Sequence, residues 1–137
     1  MGEVRVKAKL FNASDEALAR RGQLSKNDIR FYNADAMVDT GAVRSVIPTF
    51  VLEQLGLEIR GQRVAEYADG RKDTVGVSES VIINILGRDT LEDALVLGDE
   101  VLIGQTVLEK LDLLVDCAYN RVIPNPAHPD QPVTKVK

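Results

Sequence analysis

Charged and apolar residues alternate without a break from Glu3 to Leu10, a period of two that predicts a strand with one wet face, at the exterior or at an interface. The alternation stops at Asn12. From there to Gly22 the pattern becomes that of a short helix, capped by Ser14, running through Glu16, Ala17, Leu18 and Arg20 and stopped at Gly22. Residues 12–28 therefore read as a surface excursion. Extended structure returns from Ile29 to Val38, where Phe31 and Tyr32 come early and Ala34, Ala36, Met37 and Val38 form an increasingly apolar end that delivers Asp39.

Beyond Asp39 the same reading gives a short helix over Phe50–Leu55 with Gly56 as its stop. Val64–Ala68 and Thr74–Ile85 are two extended runs flanking Asp69-Gly70, a strong hairpin signal. A second hairpin near Gly87-Arg88 returns through Ala94–Leu97. Gly98-Asp99-Glu100 then turns the chain into Val101-Leu102-Ile103-Gly104. Leu113–Val115 and Arg121–Ile123 pair across Ala118-Tyr119-Asn120. The sum is an all-β barrel with short helices. Residues 1–123 read as one domain, and 124–137, which hold four of the five prolines, as a loose proline-rich tail.

Composition narrows the function classes. A chain of 137 residues with 45% hydrophobic content suits a single ordinary core. A formal charge of −4 with 4% aromatic residues supplies neither the basic stripe nor the stacking platform of a nucleic-acid binder. No apolar run approaches a membrane span, and the start of the chain has no apolar signal region, so the expectation is a soluble, cytoplasmic protein. Cys117 has no partner cysteine, as a reducing compartment permits, and the isolation of Cys117 and His128 argues against cysteine catalysis and against zinc. Asp15-Glu16 and Glu92-Asp93 read as solvated surface charge.

The chemistry concentrates at Asp39-Thr40-Gly41. An Asp closing an apolar strand is poorly solvated, and Gly41 lets the backbone turn sharply beside it. Acid–base hydrolysis of a peptide needs one group to take a proton from water and another to give one, which two close carboxylates sharing a proton can do. Asp73-Thr74-Val75 and Asp89-Thr90-Leu91 lack the Gly, so this chain has no second triplet of that kind. A two-fold homodimer supplies the missing acid, because an isologous interface brings Asp39 to face its own copy.

Asp39-Thr40-Gly41-Ala42 resembles the active-site signature of the retropepsin-like aspartic proteases, single-lobe enzymes that include retroviral proteases and small bacterial relatives. Val46-Ile47-Pro48 follow it, then Ala68-Asp69-Gly70 where relatives carry a flap hairpin, then Leu102-Ile103-Gly104 leading into Val107–Leu111. From Ile29 to Pro124 the order is that family's order.

The resemblance implies a closed β-barrel of the acid protease fold with one lobe per chain, working as a homodimeric aspartic endopeptidase on extended peptides, without cofactor or metal. It implies that Asp39 is catalytic and that Thr40, Gly41, Ala42 and Gly104 support it. The Thr40 hydroxyl would join a network across the dimer axis, and Gly41 would lie beside the substrate backbone. Tyr67, Ala68, Asp69 and Gly70 would form the flap. Ala42 lacks the hydroxyl that Ser or Thr would donate to the carboxylate, which points to activity at mildly acidic to near-neutral pH. Retroviral relatives brace the site with an Asp after the Ala and an Arg after the later Gly; here Val43 and Gln105 stand there, and the familiar ion pair is missing. The alternative is a catalytically idle dimer that binds extended peptides or serves in assembly. The intact Asp39-Thr40-Gly41 favours the enzyme.

Overall fold

The computed structural model describes residues 2–137, with Met1 outside them. Its first strand, β1 (Val4–Asn12), turns Val6, Ala8 and Leu10 inward and Lys7 and Lys9 out, as the alternation dictates. It is a stave of the barrel rather than an exterior strand. It pairs antiparallel with β2 (Phe31–Val38) along almost its whole length, and Lys9–Asn12 pair with β5 (Lys72–Ile85). The remaining staves are β3 (Val46–Ile47), β6 (Arg88–Val96) and β7 (Leu102–Ile103). Their order is β1-β2-β7-β3-β6-β5, and the β1–β5 pairing closes the ring into a six-stranded barrel. Closure leaves the ring without an exposed edge. A further strand, β4 (Ile59–Glu66), hangs from β5 to form the long hairpin, and β8 (Leu113–Asp116) pairs with β9 (Arg121–Pro124) as a separate two-stranded sheet.

The barrel interior is aliphatic. Leu10, Ala36, Ile47, Val81, Ile83, Ile85, Ala94 and Ile103 fill it, and α2 (Thr49–Gln54) and α3 (Gln105–Leu111) add Val51, Leu55, Val107, Leu108 and Leu111. Among the described residues no helix is long and apolar enough to cross a membrane.

The excursion after β1 is α1 (Ala13–Arg20) followed by a 3-10 turn at Lys26–Asp28. Its cap is Asn12, not Ser14: the Asn12 side chain accepts from Asp15 N at 2.9 Å while its amide donates to Leu55 O at 2.8 Å. Asp15 is not solvated charge either. It is 6% exposed and receives Arg30 Nε and Nη2 at 2.8 and 3.0 Å and Arg30 N at 3.0 Å. The Arg30 guanidinium holds the Asp15 carboxyl below its ordinary range, against the opposing effect of burial. A lowered folded-state pKa contributes stability above the unfolded value near 3.8, and that contribution disappears as pH falls through the folded value. Asp15→Asn is therefore expected to cost about 2 kcal/mol at neutral pH. The gap between mutant and parent melting temperatures should shrink as pH is taken from 5 towards 2; a gap independent of pH would remove the ion pair as its cause.

The proline-rich end is not loose along its first half. Asp112 caps α3 in the left-handed conformation, with φ 54°, and its carboxylate gathers Asn125 Nδ2 (3.0 Å), His128 Nδ1 (2.6 Å) and Val133 N (3.0 Å). The Asn125 donor, then the Val133 amide and His128, keep the Asp112 pKa lowered. Proline removes donors and restricts φ, but it does not prevent its neighbours from being tied down.

Candidate active site

Three backbone bonds fix Asp39 at the end of β2. Met37 N and Asp39 N donate to Val101 O and Ile103 O, both at 3.0 Å, so the parallel ladder with β7 runs up to the acid itself. Ala42 N then donates to Asp39 O at 3.1 Å and closes the turn. Gly41 N donates to the Asp39 carboxylate, Oδ1, at 2.9 Å, which orients the side chain at the barrel mouth. A Cβ on Gly41 would stand 3.2 Å from that same oxygen. Thr40 and Gly41 are exposed, and Asp39 is half-buried.

The loop after Asp39 is clamped on two sides. Gln105 N and Thr106 N donate to Ala42 O (2.7 Å) and Val43 O (3.1 Å), Gly104 N donates to Ser45 Oγ (3.0 Å), and Leu95 N donates to Ser45 O (3.1 Å). Val43 and Gln105, at the positions of the familiar brace, do not bond each other: Val43 O receives Thr106 N and Gln105 N goes to Ala42 O, while the Val43 side chain is exposed and Gln105 turns to Glu109. The loop has a different ion pair, to β6: Arg44 Nη2 donates to Asp93 Oδ1 and to Asp93 O, each at 2.8 Å. Asp93 remains exposed surface charge, now with a partner, whereas Glu92 beside it is largely covered and pairs with Lys110 Nζ at 3.0 Å.

Gly104 is required by close approach. A Cβ there would lie 2.7 Å from the carbonyl carbon and oxygen of Arg44 and 2.9 Å from Ala42 O, all backbone atoms. Gly104→Ala is expected to displace the loop carrying Asp39 and to cost about 2 kcal/mol. Gly61→Ala, whose Cβ meets nothing within 4 Å, is the control. Equal melting temperatures for the two variants would refute the clamp.

Register exposes a feature that motif reading missed. Met37 pairs with Leu102, Leu102 with Val46, Val46 with Leu95, and Leu95 with Val77. Directly paired residues share a face, and the neighbours Ala36, Ile103, Ile47 and Val96 point into the core, so these five side chains form an apolar strip on the opposite face. The strip starts two residues before Asp39 and ends at the base of the β4–β5 hairpin. A readable sign existed: Val46-Ile47 and Leu102-Ile103 are apolar on both faces, as strands covered on both sides are.

The Asp69-Gly70 turn forms where expected, with Tyr67 N donating to Arg71 O at 2.8 Å, Gly70 N to Tyr67 O at 2.9 Å, and Gly70 at φ 85°. The charge at the tip is used locally: Asp69 Oδ1 accepts from Arg71 N at 2.9 Å, and the Arg71 guanidinium lies 4.4 Å from the Tyr67 ring centre. Ala68 is exposed beside them. A cavity of about 320 Å³ opens against Asp39 and Thr40 between residues 2–4, Met37, Val38, Val115 and Cys117. A larger one, about 530 Å³, lies between α1 and the outer face of β5 and β6, away from Asp39. The candidate site is the one with the oriented carboxylate, not the one with the larger volume.

The barrel as a whole has a counterpart among solved structures. The retroviral protease-like domain of Ddi1 from Leishmania major matches with a TM-score of 0.56 over 92% of this chain and 90% of that domain, at 16% identity. The chain has a retropepsin-like fold. No protein-family model matches the sequence, and the curated proteins give no match. The retropepsin-like barrel is therefore established by shape.

Proposed function

We propose that the protein is an aspartic endopeptidase that hydrolyses peptide bonds with two Asp39 carboxylates, one from each subunit of a homodimer. The observation that carries this reading is the Asp39 carboxylate itself, oriented by Gly41 N at the end of a clamped strand and opening beside an apolar strip. One carboxylate cannot act as both acid and base, so the site is half a site until a second chain adds its copy. At close range two like charges repel, so the two acids share one proton. The ionised member takes a proton from water while the protonated member serves the carbonyl oxygen.

The other parts have roles consistent with this. Thr40 stands next to Asp39 and exposed, where a hydroxyl can meet its copy across the dimer axis. The Tyr67–Gly70 turn closes over an extended peptide and excludes water. Met37, Val46, Leu95 and Leu102, each half-buried, receive apolar side chains next to the scissile bond. No cofactor or metal enters the mechanism, and the reading places the enzyme in the cytoplasm. Cleavage of a diverse peptide library across pH, run beside sedimentation at the same protein concentrations, tests it. Cleavage by a dimer at mildly acidic to near-neutral pH is expected; robust cleavage where only monomer sediments would exclude the shared site.

A further inference from the structure

The cleft-side face of the β4–β5 hairpin carries an arginine without an acidic partner. Arg63 pairs in register with Val75, and Ala65 with Asp73, so these four side chains share a face with Val77 and continue the apolar strip. Burial identifies that face as the inner one: Val75 and Val77 are buried and Ala65 and Tyr67 half-covered, whereas Val64 on the opposite side is 67% exposed. The Glu66–Lys72 pair lies on the outer side. Of the inner-face charges, Arg71 stacks on Tyr67, and Asp73 Oδ1 accepts from Thr74 N at 2.9 Å. Arg63 forms no ion pair among the described residues.

We infer that Arg63 is a specificity-determining residue that selects an acidic side chain in the substrate, away from the scissile bond. This rests on the proposed peptide cleft. A guanidinium fork matches a carboxylate in two-point geometry, and hairpin closure removes water from the pair. The position follows from the register. Asp73 is one cross-strand step nearer the tip on the same face and Asp39 lies at the chemistry, so an acidic substrate residue beside the cut meets like charge. Arg63, on β4, is five residues before Ala68 in the turn. At roughly 3.3 Å per residue this puts the favoured position about three to five residues from the scissile bond. Two-fold symmetry allows it on either side.

The test is cleavage of a peptide library by the parent protein and by Arg63→Glu, an exposed position where substitution leaves the barrel intact. The parent should enrich Asp and Glu at that distance about fivefold over Lys, less at high salt, and Arg63→Glu should invert the preference. Cleavage without acidic enrichment, or enrichment unchanged in Arg63→Glu, overturns the inference while leaving the protease reading intact. If no peptide is cut, the protease reading fails, and binding decides the rest. Fluorescent extended peptides with a Val-Leu centre and Glu or Lys flanks are titrated against parent and Arg63→Glu protein. Tighter binding of the Glu-flanked peptide that reverses in the variant supports the role of Arg63; equal or undetectable binding of both peptides overturns it.

Discussion

Asp39→Asn is expected to lower peptide cleavage at least about a thousandfold while leaving the barrel folded and the dimer assembled. The amide has the shape of the carboxylate, and its oxygen still accepts from Gly41 N, which donates to Oδ1 at 2.9 Å in the parent. The backbone bonds of Asp39 N to Ile103 O and Ala42 N to Asp39 O do not involve the side chain. What is lost is the ability to take a proton from water. Mixing sharpens the test. When parent and Asp39→Asn chains exchange freely in equal amounts, about a quarter of the dimers carry two aspartates, whereas independent sites would leave about half of the activity. A rate that falls linearly with the fraction of variant would sink the shared site, and undiminished cleavage by the pure variant would remove Asp39 from the mechanism.

What was legible in the sequence divides along a physical line. Strands with a clear period, such as Glu3–Leu10, and turns set by backbone freedom, such as Asp69-Gly70, are local, and the structure has them within a residue or two. The Asp39 turn was legible for the same reason, since Gly41 contacts a residue two positions away. Partnerships across the chain were not. Asp15 looks like helix-surface charge until Arg30 is placed on it, and Arg44 has no visible acid until β6 brings Asp93 alongside. The apolar strip needed register above all. Nothing in Met37, Leu95 or Val77 alone says that they share a face, because a slip of one residue in any stave would send each to the other side. Ser14 lost the cap to Asn12 because Asn12 ends β1 and also reaches Leu55, a contact 43 residues away.

The largest stability loss is expected from Arg88→Ala. Arg88 opens β6, is 7% exposed, and is held by three backbone carbonyls: Nη1 donates to Leu111 O at 3.0 Å and Asp112 O at 2.9 Å, and Nη2 to His128 O at 2.7 Å. Leu111 and Asp112 end α3, where carbonyls lack helical donors and their negative ends favour a cation. The guanidinium thus substitutes for the missing turn of helix and ties 125–133 to it at the same point. Truncation removes this donor from Leu111 O and His128 O, while Asp112 O keeps Asn125 N at 3.0 Å; at about 1–3 kcal/mol for each acceptor left without it, about 4 kcal/mol in all is expected. At roughly 3 °C per kcal/mol this is a fall in Tm of about 12 °C. Arg88→Lys should recover less than half, because one ammonium cannot span three acceptors on a planar fork. The same loss should free the tail. Limited proteolysis is expected to cut within 125–133 in Arg88→Ala before the barrel unfolds and to spare that segment in the parent. A Tm fall under about 3 °C with the tail still protected would mean that the Asp112 carboxylate, with Asn125, His128 and Val133, holds this end without Arg88.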